Sequence, residues 1–109
     1  MRLRLTSLFI ALAAASLLAA AGSATAQDVA ALRLKALAAT CANCHGTQGR
    51  AIDGAAVPGL AGMPATYLVE QLKAFKAGTR PATVMHQLAK GYNDAQIDQI
   101  AAYFAAQKK

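Results

Sequence analysis

Two cysteines, two histidines and five acidic residues are all that this 109-residue sequence offers to chemistry that depends on such groups. A structural zinc site wants four ligands, usually with a second cysteine or histidine pair. Beside Cys41, Cys44 and His45 only His86 remains, so that pair is lacking. No pair of carboxylates and no Ser/His/Asp arrangement points to hydrolytic chemistry, which leaves no catalytic acid, base or nucleophile to assign. Glu70, Asp94 and Asp98 read as solvated. The basic residues are scattered, not clustered, and give a nucleic-acid partner no support. No run alternates with period two for long enough to make a strand, and beyond the N-terminal stretch there is neither repeat nor low-complexity tract. The fold expected is therefore all-α.

One long apolar run is present. Arg2 and Arg4 give a positive start, Leu5 to Ala21 is apolar apart from Thr6, Ser7 and Ser16, and Ala24-Thr25-Ala26 supplies small residues for a signal peptidase. The run falls a little short of the ~20 residues a membrane span needs, and the cleavage site follows at once. This reads as a signal peptide over 1–26, removed before Gln27, in preference to a retained anchor. The domain is then 27–109, exported to the periplasm and without a membrane span. Losing Arg2 and Arg4 leaves nine basic residues against five acidic ones, a formal +4. Removing 26 of the 109 residues leaves 83, enough for one domain whose core of side chains alone would be marginal.

Helices joined by glycine- and proline-marked loops account for the rest. Ala30, Leu34, Leu37, Ala38 and Cys41 recur on one face and predict a helix from about Val29 to Thr40. A loop follows from Gly46 to Gly62. The next helix is expected to open with Pro64 at its first position and close at Gly78. Its buried stripe would be Leu68, Leu72 and Phe75, with Tyr67 beside them, and Lys73 and Lys76 near its negative end. A short helix about Ala82 to Ala89 would carry Met85 and His86. The last helix starts at Asn93 with Gln96 three residues on, the pattern of a capping box. Ile97, Ile100, Ala101 and Phe104 follow as its core-facing stripe.

Cys41-Ala42-Asn43-Cys44-His45 carries the chemistry, because C-x-x-C-H is the attachment motif for c-type haem. Two cysteines at that spacing can form thioethers to the two vinyl groups of one haem while the next residue turns an imidazole onto the iron. A redox dithiol is the competing reading, but a thioredoxin-like site sits near a βαβ pattern and none is visible. One covalent haem c is expected, with His45 as one iron ligand. For the other, Met85 is favoured over Met63, which precedes Pro64 and reads as packing. His86 is a further candidate, although adjacent helical residues point in different directions. Pro58-Gly59-Leu60 is expected to support His45, the Pro58 carbonyl accepting from the ring N–H and Leu60 packing on the ring. An ordinary turn is the alternative.

These residues resemble a known family. Cys41 to His45 with Gly46 is similar to the haem segment of small class I cytochromes c, and Tyr67 to Gly78 to their middle helix. Thr83 to Tyr92, followed by Ala101 to Phe104, is most similar to the haem subunit of flavocytochrome c sulfide dehydrogenase. The resemblance spans about Thr40 to Gln107 and implies a cytochrome c fold around one haem. It makes Cys41 and Cys44 the thioether cysteines, His45 and Met85 the axial ligands and Pro58 the acceptor from His45. As partners it implies an FAD-containing sulfide dehydrogenase subunit, with other periplasmic cytochromes or a terminal oxidase downstream. Some members of that family carry two haem domains, whereas one C-x-x-C-H stands here, which makes a free-standing shuttle more plausible. A haem enzyme or gas sensor with an open distal site, and a haem-free module stapled by a disulfide, are the alternatives of other classes. Exported protein is expected to begin at Gln27, which intact mass measures directly; a mass that retains Met1 to Ala26 in the membrane fraction would make it an anchored protein.

Overall fold

A computed structural model describes residues 26–109. The signal peptide expected over 1–26 lies outside them except for its last residue. The chain divides into two compact units, Met1–Arg33 and Leu34–Lys109. In the first, the described residues 26–33 are helical. The second holds everything discussed below.

The second unit opens on α1, helical over 34–45. It runs five residues beyond the predicted end at Thr40 and takes in the whole C-x-x-C-H motif. The reason is local: no glycine or proline interrupts the chain before Gly46, which ends the helix at φ 83°. There a Cβ would sit 2.0 Å from the Arg50 carbonyl oxygen, so the turn demands glycine. A 3-10 turn, Thr47–Gly49, follows.

α2 spans Ala65–Ala77, with Pro64 as its N-cap and not its first helical residue, and Gly78 closes it in the left-handed conformation. α3 is only Met85–Leu88, continued by a 3-10 turn Ala89–Gly91, and so is shorter than the predicted Ala82 to Ala89. α4 spans Asp94–Ala105 behind the expected capping box. The Asn93 side chain accepts from the Gln96 N–H at 2.8 Å, and the Gln96 side chain accepts from the Asn93 N–H at 2.9 Å. The described residues contain no strand.

All four stripe residues of α4 are buried, with Ile97 and Ala101 fully so. Ile100, Ala101 and Phe104 meet Ala38 of α1 and Leu68 of α2 in the core. The α2 stripe is shallower than expected. Leu68 is buried, Leu72 and Phe75 are half-buried, and Tyr67 is exposed. Phe75 is covered from outside by the Arg80 guanidinium, 4.6 Å from the ring centre and hydrogen-bonded to Gln71. On α2 the Lys76 ammonium bridges to Asp94 at 3.0 Å, and this partner holds the Asp94 carboxyl below the usual carboxylate range, with Lys73 adding to it.

The loop between α1 and α2 is folded back on itself by one carbonyl. Gly49 O accepts from the N–H of Leu60 at 2.7 Å and of Ala61 at 3.1 Å. Gly49 is buried at φ 77°, where a Cβ would meet Phe104 Cδ1 at 2.7 Å and Ala61 N at 2.9 Å. Gly54 has nearly the same φ, 75°, and nothing within 4 Å. Gly54→Ala is therefore expected to cost only backbone strain, about 1–2 kcal/mol. Gly49→Ala should cost clearly more, because it adds a clash in the core. Thermal unfolding compares the two; equal shifts in Tm would show that Gly49 has no packing role.

Candidate haem site

Cys41 and Cys44 stand one turn apart near the end of α1, Cys41 half-buried and Cys44 exposed, and both thiols are free. Burial pushes the Cys41 thiol pKa up. His45, the last residue of α1, is 8% exposed and is the one buried polar residue among those described.

The His45 ring is fixed from across the loop. Its Nδ1 lies 2.7 Å from the Pro58 carbonyl oxygen. A carbonyl only accepts, so Nδ1 carries the proton and Nε2 of the neutral ring keeps its lone pair. Among the described residues nothing is hydrogen-bonded to that second nitrogen. Pro58 is placed for this contact because Leu60 and Ala61, just beyond Gly59, are drawn onto the 3-10 turn by Gly49 O. Leu60 is half-buried and packs against the core cluster.

The two methionines differ in setting. Met63 packs against the core cluster, whereas Met85 is half-buried at the start of α3 and belongs to no such cluster among the described residues. His86 is half-buried, and its Nδ1 is shut off from solvent with no hydrogen-bond partner among the described residues. Thr40 and Tyr92, to which the sequence assigned no role, are joined by a 2.7 Å hydrogen bond between hydroxyls 52 residues apart. No spacing or periodicity could have signalled that pairing.

A haem fits these residues. Two unpaired thiols share a helix with an imidazole whose Nε2 is uncommitted, and an orphaned nitrogen next to Met85 leaves one polar position for a group from outside the chain. Among the described residues no group of three or more His, Cys, Asp or Glu side chains is gathered as a cage for a bare metal ion. The core is also small and rich in alanine, and it is rimmed by half-buried apolar side chains.

The all-helical fold and the C-x-x-C-H helix define a small haem-carrying domain, and comparison with known proteins names the family. The chain belongs to the cytochrome c family, matching it over residues 31–108. It is 40% identical over 72 residues to cytochrome c-554(548) of Halomonas halodenitrificans, covering 63% of this chain and 86% of that protein. The cytochrome subunit of sulfide dehydrogenase of Chlorobaculum tepidum is 41% identical over 68 residues, 62% of this chain and 60% of that one. The thiosulfate dehydrogenase electron acceptor of Thiomonas intermedia is 41% identical over 71 residues, 65% of this chain. The chain spans only about a third of that protein's length, the match covering 33% of it. A solved structure of Acidithiobacillus ferrooxidans cytochrome c4 aligns with a TM-score of 0.57 at 39% identity, over 61% of this chain and 37% of that one.

As a member of the cytochrome c family with one C-x-x-C-H motif, the protein carries one covalent haem c and serves electron transfer. Extraction with acidified acetone is expected to leave the haem colour in the protein pellet. Colour in the solvent would mean that the haem is held by ligation alone.

Proposed function

We propose that this cytochrome moves electrons in the periplasm through a haem attached at Cys41 and Cys44 and ligated by His45 and Met85, accepting them from a flavoprotein that oxidises sulfide. The observation that carries the reading is the hydrogen bond from His45 Nδ1–H to the Pro58 carbonyl, which leaves Nε2 as the coordinating nitrogen on the helix of the two thiols. When bound, the haem supplies a one-electron couple. The chain's own residues orient it and set its potential.

Pro58 holds the imidazole in one tautomer and makes it a better donor to iron. A methionine thioether as second ligand raises the reduction potential relative to two histidines. The packing of Met63 into the core, against the freer Met85, supports Met85 for that place. The export signal read in the sequence supports the periplasm, and no helix among the described residues is long and apolar enough to cross a membrane. The flavoprotein partner is supported by the likeness to the sulfide dehydrogenase cytochrome subunit. A free shuttle is the second reading, favoured by the near-complete span of cytochrome c-554(548) and by the likeness to a thiosulfate dehydrogenase electron acceptor.

A thioether on ferric low-spin haem gives a weak charge-transfer band at the red edge of the visible spectrum. Wild type should show it and Met85→Ala should lose it, with the potential falling or the iron opening to carbon monoxide. Met63→Ala should keep the band and lose stability, by no more than about 2 kcal/mol for a half-buried side chain. A band that survives Met85→Ala and vanishes in Met63→Ala overturns the assignment. A band absent from wild type, with a spectrum altered only by His86→Ala, points to two histidine ligands. Flavin absorbance in the natively purified protein separates bound subunit from shuttle.

A further inference from the structure

The segment that follows α2 is tied to α1 through a hydroxyl pair. Thr40 Oγ1 lies 2.7 Å from the Leu37 carbonyl oxygen and 2.7 Å from the Tyr92 hydroxyl. The Leu37 carbonyl can only accept, so the single Thr40 proton goes there and Thr40 Oγ1 accepts from the Tyr92 O–H. Thr40 directly precedes Cys41, whose sulfur is 3.8 Å from the same hydroxyl oxygen. Tyr92 is the C-cap of the 3-10 turn that continues α3, its N–H donating to Ala89 O, and it directly precedes Asn93, the N-cap of α4. Its ring packs against the core cluster.

Tyr92 therefore stands at the joint between the Met85 segment and α4, and it reaches the start of the haem motif. Among the described residues this is the one side-chain hydrogen bond between α1 and the residues beyond α2. α3 itself is four residues long, with its flanking Val84 and its last residue Leu88 more than half exposed. A helix that short has little stability of its own and keeps its place through tertiary contacts.

We propose that Tyr92 is a positioning residue which, through Thr40, holds the Met85 segment in register with the helix of Cys41 and His45 and so keeps the methionine sulfur in place. This rests on the reading of Met85 as second iron ligand. Removing the bond leaves the contacts of α3 with α2 intact, so the resting protein keeps its methionine ligand. What changes is how readily an outside ligand displaces it.

The test is titration of the ferric holoprotein with imidazole, followed by loss of the charge-transfer band. Tyr92→Phe is expected to show the band at rest and to bind imidazole about 2- to 10-fold more tightly, the range one net hydrogen bond allows. Thr40→Val should give a similar gain, and the double variant no more than the larger single, because both remove the same bond. Ile97→Val, which loosens the core of α4 elsewhere, should lower Tm and leave imidazole affinity unchanged. Unchanged affinity in Tyr92→Phe and Thr40→Val, fully additive gains, or an equal gain in Ile97→Val would each overturn the proposal while Met85→Ala still loses the band. A band that survives Met85→Ala removes the ligand reading itself, and the proposal with it.

Discussion

The hydrogen bond between the His45 ring and the Pro58 carbonyl is the constraint around which the loop, the α1 terminus and part of the core are arranged. An imidazole at a helix end is free to rotate unless its second nitrogen is committed. Commitment requires a carbonyl delivered from 13 residues away. Gly46 ends α1 at once, the 3-10 turn brings Gly49 inward, and Gly49 O takes the two N–H groups that follow Gly59. Gly49 can do this only because it lacks a side chain, for Phe104 of α4 occupies the space a Cβ would need. The orientation of one ring is thus coupled to one of the largest buried side chains of the last helix. A change in α4 packing would reach His45 through backbone rather than through a chain of side chains.

Burial is arranged economically. Among the described residues four of the eight buried apolar ones are alanines, and the largest fully buried side chains are Phe104 and Ile97. Leu37, Leu60, Met63, Val69, Leu72 and Tyr92 are only half-buried around them. A domain of this size buries too little apolar surface to be comfortable without a further contribution. A covalently held haem is itself a large apolar body, so the group that carries the electron also completes the interior.

How much of this was legible depended on whether a residue acts on its near neighbours in sequence. The capping box at Asn93 and Gln96, the α4 stripe and the glycine boundaries are local patterns, and the sequence displayed them. The end of α1 is not legible in its periodicity, since the periodic face stops at Cys41 while the helix itself continues until Gly46 forbids it. The depth of the α2 stripe is not legible either, because helical spacing says which face turns inward and nothing of how far. Pro58-Gly59-Leu60 announced a turn, and the chemistry of a proximal histidine suggested what its carbonyl could meet; Gly49, which makes that meeting possible, looked like one loop glycine among several. The Thr40–Tyr92 pair was invisible, since two hydroxyls 52 residues apart leave no periodic trace.

The two sides of the proposed iron site are held by different means. His45 is 8% exposed, belongs to a helix and is braced by a loop that is itself locked by backbone hydrogen bonds. Met85 starts a four-residue helix between an exposed valine and an exposed leucine. Backbone bonds inside a folded loop open only with the loop, whereas one hydroxyl pair at a joint can open alone. Ligand exchange and tuning of the potential therefore belong to the methionine side, and persistence of the attached haem to the histidine side. On the proposed ligation this division suits a carrier, because the thioethers and His45 would keep the haem through many redox cycles while the weaker sulfur bond would be the one the protein can adjust.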